Sequence, residues 1–263
     1  MTALDDTDGL LTASDPAPVE VDNPDGGSPV FLVCEHAGRA VPERLGDLGV
    51  APADMDRHIA WDVGAGPVAR LMAETLDATL VRQSFSRLVV DCNRPFEAES
   101  CVPPVSDGTA IPANRGLSEV QRRRRYDEIH KPFHDRVAAL LDDRARQGRP
   151  TLLLAVHSYT RQLNGGPARP WHLGLLFNRD DSMARRLMPH LVSRASGLIL
   201  EFNEPYSVDD YSDYTIPVHG EVRGVPHVLA EIRNSEIRDG AGQAYWAGLM
   251  CDALADMVDA MNL

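Results

Sequence analysis

The sequence predicts an α/β fold of three layers, in which a mixed, largely parallel sheet lies between helices. Short apolar runs alternate with amphipathic segments from about residue 29 onwards. The runs are continuous and do not alternate with polar residues, which is expected of strands that are covered on both faces. The chain has 263 residues, of which 43% are hydrophobic, so it is long enough to bury a sizeable core.

The strands are predicted from the apolar runs. They cover residues 29–35, 79–83, 87–91, 151–157, 173–177, 198–202 and 227–232. Among the helices, one begins at Pro67, because proline is favoured in a first helical turn. Another begins with a capping box of Ser118 and Gln121 and runs to about residue 147, with Pro132 expected to kink or divide it. Two more are predicted near 181–195 and 241–261.

Residues 1–28 are predicted to be a disordered acidic tail, and residues 29–263 a single domain. The tail contains no lysine or arginine and is rich in Pro, Gly, Ser and Thr. Its acidic residues are Asp5, Asp6, Asp8, Asp15, Glu20, Asp22 and Asp25. These account for much of the formal net charge of −13.

The acidic balance argues against nucleic acid as a partner, since phosphate binding needs a positive surface. The run QRRRRYDEIH lies in a predicted helix, where successive arginines point in different directions and most of them face solvent. No stretch is apolar for 18 residues, and the first residues lack the pattern of a secretory signal. Four scattered cysteines fit reduced thiols in a cytoplasmic protein, with no membrane partner expected.

Polar side chains follow several predicted strands directly. Glu35-His36, Asp91 and His157 come at three strand ends, and Glu231 lies near a fourth. Ligands of open α/β sheets gather at such carboxyl ends. Two histidines and one carboxylate with an open fourth position form the ligand set of a catalytic zinc site, and a further glutamate could act as general base. Each residue also has a structural interpretation, for example His157 as a hydrogen-bonded core histidine.

Eight segments in the same order resemble the N-formylglutamate amidohydrolase family. They are EHAGRAVP, HIAWDVGA, FSRLVVDCNRP, HKPFH, VHSYT, RPWHLGLLFN, NEPYS and AEIRN, and they span about residues 30 to 250. Members are similar in fold to zinc carboxypeptidases and aspartoacylases. The resemblance implies a single zinc-dependent amidohydrolase domain that cleaves a small anionic N-acyl amino acid, such as N-formylglutamate, into a carboxylate and an amino acid.

The resemblance also assigns roles to residues. It implies His36, Asp62 and His157 as metal ligands, with Glu35 and His58 as alternatives to Asp62. Glu231 is implied as the catalytic glutamate and His219 as a second catalytic residue near the reacting carbonyl. Asn93 and Arg94 resemble the pair that holds a substrate carboxylate.

A doubly charged acyl-glutamate needs cations close to the metal. Five arginines lie in or beside the matching segments, and two or three of them are expected to face the substrate, Arg169 among them: Arg87, Arg94, Arg161, Arg169 and Arg223. The Gly/Pro-rich stretch 161–171 is either a mobile substrate loop or a long connection. His130 and His134 are four residues apart, but without the glutamate of HExxH they are interpreted as core or supporting histidines.

Two other functions remain open at this point. A zinc carboxypeptidase or amidase acting on short peptides or cell-wall fragments would use the same metal ligands in a more open cleft. A non-catalytic relative that binds an acidic metabolite would have lost part of the ligand set, whereas all the implied ligands are present here.

Overall fold

The computed structural model describes residues 9–263, and none of the helices in that range is both long and apolar enough to cross a bilayer. The strands are β1 Val19–Asp22, β2 Val30–Cys34, β3 Thr79–Gln83, β4 Val105–Ser106, β5 Thr109–Ala110, β6 Leu152–Tyr159, β7 Leu173–Leu176, β8 Leu200–Phe202 and β9 His227–Arg233. The α-helices are α1 Pro52–Met55, α2 Ala65–Leu76, α3 Glu119–Arg125, α4 Lys131–Arg146, α5 Ser182–Arg194 and α6 Gly240–Met261.

Seven strands form one sheet, in the order β1-β3-β2-β6-β9-β7-β8. The four strands β3, β2, β6 and β9 are parallel to each other, and β1 and β7 join them antiparallel. The sheet is therefore mixed and largely parallel, as predicted, and β4 and β5 form a separate small hairpin.

Two hydrophobic cores cover the two faces of this sheet. Val30, Leu32 and Cys34 of β2 pack in a core with α2, α5 and α6, whereas Phe31 and Val33 pack in a core with α4. Alternate residues of one buried strand thus serve opposite helix layers, which explains why its sequence is apolar throughout. The predicted three-layer α/β class is confirmed.

The helix predicted after Ser118 begins with the expected capping box. The Ser118 side chain accepts from the Gln121 backbone amide and the Gln121 side chain accepts from the Ser118 amide. A π-helical turn, Tyr126–His130, divides the segment into α3 and α4 just before Pro132. This agrees with the expected effect of Pro132, which has no backbone N–H to offer the preceding turn.

The prediction of a strand at 87–91 is wrong. Leu88, Val89 and Val90 are buried, but the Val89 amide donates back to the Ser86 carbonyl oxygen, as in a turn. The side chains here are apolar because they are buried in the core beside α4, and they do not belong to a strand that pairs with a neighbour. The strand predicted at 198–202 is shorter, since β8 begins at Leu200.

The predicted acidic tail is also corrected from residue 9 onwards, whereas residues 1–8 lie outside the described part of the chain. Leu10 is only 1% exposed, and β1 pairs with β3 along its whole length. Arg82 of β3 binds Asp22 and Glu20 of β1, each through a nitrogen–oxygen distance of 2.6 Å. Cross-strand ion pairs of this kind hold an acidic strand in place, so the composition of residues 19–22 does not produce disorder.

Candidate active site

Three buried side chains from different parts of the chain meet at the carboxyl ends of β2 and β6. His36 follows β2 by two residues, and His157 lies within β6, which is the parallel neighbour of β2. Asp62 lies in the turn that precedes α2, where its backbone amide donates to the His36 carbonyl oxygen at 3.0 Å. This turn depends on Gly64, which has a φ of +84° and contacts Ile237 so closely that a Cβ atom would clash.

The inner nitrogens of the two imidazoles face one carboxylate oxygen. Nδ1 of His157 lies 2.9 Å from Oδ2 of Asp62, and Nδ1 of His36 lies 3.5 Å from the same atom. The three residues each offer one ligand atom, and these atoms lie within 4.8 Å of one another. Two nitrogens and one carboxylate oxygen at this spacing form a donor set for a metal ion such as zinc.

The outer nitrogens of the same rings each lie within ion-pair distance of a different carboxylate. Nε2 of His36 lies 2.7 Å from Oδ1 of Asp91, and Nε2 of His157 lies 3.0 Å from Oε2 of Glu35. Such outer carboxylates orient metal-ligating imidazoles and increase their basicity. Glu35 is therefore on the far side of His157 from Asp62, and the structure brings Asp62, not Glu35, to the inner nitrogens.

His58, the other alternative ligand, also lies elsewhere. Its Nε2 is 3.5 Å from Oδ2 of Asp107 in the turn between β4 and β5. It lines the same cavity as His36 and His157, but the residues whose ligand atoms meet within 4.8 Å do not include it.

Arg87 connects the carboxylates of this cluster. Its Nε and Nη2 donate to Oδ2 of Asp91 at 3.0 and 2.6 Å, and its Nη1 donates to Oδ1 of Asp62 at 3.3 Å. Burial alone would raise the pKa of Asp91, yet the charges of Arg87 and His36 hold it well below its usual value. Arg87 thus leaves Oδ2 as the oxygen that Asp62 presents to the histidines.

The electrostatics of the cluster fit a divalent cation. Three buried carboxylates, Glu35, Asp62 and Asp91, are opposed by one guanidinium that hydrogen-bonds to two of them, which leaves two negative charges. Burial lowers the pKa of His157, but the charges of Glu35 and Asp62 outweigh it and raise this pKa well above its usual value. The pKa of His36 is raised as well, by Asp91 and Asp62 against burial and Arg87. A doubly charged ion among the inner ligand atoms would balance the same charges.

Glu231 lies beside this cluster on the next strand. It is directly opposite His157 in the parallel pairing of β6 and β9, and it lines the same cavity. Its Oε2 is buried with no hydrogen-bond partner among residues 9–263. Burial raises the pKa of Glu231 to about 7, with Asp62 adding to the effect and His157 opposing it. A carboxyl group with such a pKa is suited to accept and return a proton near neutral pH.

The cavity has a volume of about 280 Å³, which is adequate for a small molecule. Arg87 and Arg94 are the arginines in its wall, in agreement with the expected two or three of five. The side chain of Arg94 makes no hydrogen bond within the described residues, and its closest carboxylate, Asp213, is 3.8 Å away. Its guanidinium is therefore available to an anionic ligand.

Asn93 also lines the cavity, but its side chain is largely committed to the protein. Its Oδ1 accepts from the backbone amides of Tyr214 and Thr215 at 3.0 and 3.1 Å, and its Nδ2 donates to Asp213 at 3.0 Å. Asn93 therefore holds the segment that forms one wall of the cavity, and one hydrogen of its amide nitrogen remains for a ligand.

Comparison with known proteins identifies the relatives of this fold and site. The profile of the N-formylglutamate amidohydrolase family matches residues 28–238. The chain belongs to this family. The crystal structure of gene product Atu2144 from Agrobacterium tumefaciens is 35% identical, covers 97% of this chain and 100% of its own, and aligns with a TM-score of 0.91. Comparison with curated proteins gave no match.

A second solved structure supports the fold. The N-formylglutamate amidohydrolase from Ralstonia eutropha JMP134 is 19% identical, with 92% of this chain and 97% of that chain covered and a TM-score of 0.62. The predicted membership of the amidohydrolase family is thus confirmed, and with it a hydrolase that acts on an amide.

Two residues to which the sequence assigned roles in this family do not line the cavity. Arg169 donates to the Tyr206 hydroxyl at 2.6 Å and lies 5.0 Å from the Tyr159 ring centroid, so it supports two residues of the cavity wall from behind. His219 is buried, with its Nε2 3.0 Å from Nδ1 of His134. Neither side chain lines the cavity, so in this geometry neither would touch a substrate bound there.

The histidines His130, His134 and His219 form a buried cluster behind the loop that carries Asn93. Nε2 of His134 lies 2.6 Å from the Cys92 carbonyl oxygen, so this nitrogen carries the proton and Nδ1 accepts from His219. Nε2 of His130 donates to the Arg94 carbonyl oxygen at 3.0 Å. Two histidines of the HKPFH segment therefore fix the backbone on both sides of Asn93, which agrees with the predicted supporting role.

These histidines predict a loss of stability in acid. Burial lowers the pKa of His134 to about 3 and that of His219 to about 3, whereas both have an ordinary value near 6.5 when unfolded. Protonation thus favours the unfolded chain, and stability is lost as pH falls below about 6.5. The loss for one such histidine between pH 7 and pH 5 is about 2 kcal/mol.

The measurement is the free energy of unfolding in urea at pH 7 and pH 5, compared between the wild type and His134→Asn. The variant retains one donor and one acceptor but no titration in this range, so the difference between the two pH values should be about 2 kcal/mol smaller. An unchanged difference would mean that folding does not shift the pKa of His134.

Glu35 predicts a measurable effect on metal affinity. Its side chain is fully buried, and the positive group closest to it is His157. Glu35→Gln removes the charge that supports this imidazole while preserving the shape of the side chain. We expect metal to bind roughly 10–100-fold more weakly, measured by competition with a chromophoric chelator. Glu74→Gln, at an exposed position of α2, is the matched control and should bind metal like the wild type.

Proposed function

We propose that the protein is a zinc-dependent amidohydrolase that cleaves the amide of an N-acyl amino acid related to N-formylglutamate, giving a carboxylate and a free amino acid. The observation that carries this proposal is the meeting of His36, Asp62 and His157 within 4.8 Å, with Glu231 opposite His157 in the same cavity. Membership of the amidohydrolase family supports the reaction type.

The three ligand residues would hold the metal through Nδ1 of each imidazole and one oxygen of Asp62. When bound, zinc polarises the carbonyl group of an amide and lowers the pKa of water from 15.7 to about 7. Asp91 and Glu35 keep the imidazoles in orientation from their outer nitrogens. Their buried charges also compensate the charge of the metal.

Glu231 is proposed as the proton carrier of the reaction. Its carboxylate takes the proton of the attacking water and later gives it to the nitrogen of the leaving amine. Because its Oε2 has no partner within residues 9–263, the group has no hydrogen bond to break before it acts. Its pKa of about 7 balances the two directions of transfer.

Arg94 is proposed to bind the carboxylate of the amino-acid part. Its guanidinium lines the cavity and makes only two long ion pairs, 3.8 Å to Asp213 and 4.0 Å to Asp91, and a bidentate pair with a substrate carboxylate would fix the scissile amide beside the metal ligands. Asn93 would contribute the free hydrogen of its amide. Arg169 and His219 would act by holding the wall and not by touching the substrate.

Metal content is the first test of this function. Purified protein should contain about one zinc per chain by emission spectroscopy. A metal-free protein with an intact fold that also binds no added zinc would instead support a relative that only binds a metabolite.

The substrate class is tested with a panel of N-formyl and N-acetyl amino acids. Acidic amino acids should be released fastest, because the arginines of the cavity wall attract a second carboxylate. Equal rates for acidic and neutral members would argue against the role of Arg94.

The four cysteines of the sequence are all free and buried. Their reduced state supports the proposal that the enzyme works in the cytoplasm, where thiols persist.

A further inference from the structure

A second cleft, of about 890 Å³, adjoins the cavity that contains the proposed metal ligands. His58 and Thr160 line both spaces, so the two share part of their walls. Asn93 and Arg94 line only the smaller cavity. A molecule whose carboxylate is bound by Arg94 therefore has its other end free to extend past His58 and Thr160 into the second cleft.

The wall of the second cleft is a fixed structure. Asp107, in the turn between β4 and β5, accepts from Arg57 Nη2 at 2.8 Å and from the Asn164 backbone amide at 2.8 Å. Gln162 and Ala168 form an isolated bridge within the same stretch. These contacts hold the Gly/Pro-rich segment 161–171 against the β4–β5 hairpin, where several of its residues line the second cleft.

Asn234 provides the observation that points to a ligand. It follows the last residue of β9 and is 4% exposed as a residue, and its side-chain amide is not among the buried polar atoms of residues 9–263 that lack a partner, so the amide reaches the open space of the cleft. It lines the second cleft and is three residues after Glu231. An amide offers one donor group and one acceptor, the complement of a peptide group.

Arg238 adds a charge to the same cleft. It is exposed and has no carboxylate within ion-pair distance in the described part of the chain, whereas Arg57 is paired with Asp54 and Asp107. Asp56 is paired with Arg39 and Asp107 with Arg57. The cation without a partner in this cleft is thus Arg238, and its planar fork is suited to a carboxylate.

We propose that the second cleft binds the acyl part of the substrate, and that this acyl group itself contains an amide and ends in a carboxylate, as a short acidic peptide does. Asn234 binds the second amide and Arg238 the terminal carboxylate. The inference rests on the proposed amidohydrolase function and extends it from small acyl groups to peptide-like ones.

Four compounds with the same glutamate leaving group test this proposal on the zinc-loaded enzyme: N-formyl-, N-hexanoyl-, N-acetylglycyl- and N-succinylglycyl-glutamate. We expect kcat/KM for the succinylglycyl compound to exceed that for the hexanoyl compound by at least about tenfold, because only the former fills the polar groups of the cleft. The acetylglycyl compound, which lacks the terminal carboxylate, should lie between them.

Two variants assign the contacts. Arg238→Gln should lower kcat/KM for the succinylglycyl compound about tenfold and leave the acetylglycyl compound unchanged. Asn234→Ala should lower kcat/KM for both amide-containing compounds and leave kcat/KM for N-formylglutamate within about twofold of the wild-type value. An equal loss on N-formylglutamate would show that Asn234 only supports the fold and would overturn its assignment.

The outcomes also separate this inference from the proposed function. Cleavage of N-formylglutamate with no advantage for the amide-containing compounds would overturn the role of the second cleft and leave the amidohydrolase intact. Failure of the zinc-loaded protein to cleave any of the four compounds, or any member of the N-acyl panel, would overturn both.

Discussion

Replacement of Glu231 by glutamine is expected to lower kcat by roughly 10²–10⁴-fold, the usual contribution of a positioned general base. Glutamine has nearly the same size but accepts no proton at neutral pH, so the attacking water would keep its proton. Glu231 is not among the three residues whose ligand atoms meet, and metal binding should therefore change little. The measurement is kcat and metal content on the same preparations.

The pH profile makes the test specific. A carboxylate base works only when deprotonated, so the rate of the wild type should fall as pH decreases through the pKa of Glu231, and the residual rate of the variant should lack this fall. Glu74→Gln, which changes an exposed carboxylate of α2, should keep the wild-type rate and profile. A Glu231→Gln enzyme with a normal rate would mean that another group carries the proton.

Replacement of His157 by alanine is expected to abolish both metal binding and hydrolysis. Outer partners of metal ligands change metal affinity roughly 10–100-fold, and loss of a ligand itself should exceed that range. The variant also leaves Glu35 buried without its imidazole partner, so the unfolding temperature should fall even without metal. Zinc affinity by chelator competition, kcat and thermal unfolding with EDTA are the three measurements.

The matched control is His190→Ala, a half-buried histidine of α5 that lies outside the cavity. It should bind zinc and cleave substrate as the wild type does. If His157→Ala retained stoichiometric zinc with wild-type affinity, the assignment of the ligands would have to move to other residues.

The fold could be predicted to a large extent because most apolar runs and helix signals correspond to one element each. The predicted strand at 79–83 has the observed bounds, and the Ser118 capping box begins the expected helix. The failure at 87–91 has a physical reason, since burial and strand pairing both select the same apolar residues. β1 was missed because its acidic residues predicted disorder, and the arginine that compensates them, Arg82, is distant in sequence.

The candidate site could be predicted in part. His36, His157 and Asp62 meet as the resemblance implied, because the sequence preserves each motif at a strand end or before a helix. The functions of Glu35 and Asp91 could not be read from the chain, because they depend on which ring nitrogen each carboxylate reaches. A hint was present for Asp91, which follows Arg87 by four residues.

The other differences between prediction and structure concern where a side chain points. Arg169 was predicted to bind substrate and His219 to be catalytic, whereas in the structure Arg169 donates to Tyr206 and His219 to His134. Sequence spacing places a residue on an element but does not decide which neighbour its side chain meets. For the same reason the sequence did not show that the Arg94 guanidinium lines the cavity whereas the Arg169 guanidinium is bonded to Tyr206.

The pairing of β1 with β3 has a consequence for the whole molecule. β3 would otherwise be the outermost strand on this side of the sheet, with a row of free backbone donors and acceptors along its edge. Such rows recruit strands from other molecules and start aggregation. β1 occupies this row, and its own outward-facing edge is only four residues long, so it offers few backbone groups to another strand. Residues 19–22 thereby shorten the sheet edge that is open to other molecules, on a strand that carries none of the proposed metal ligands.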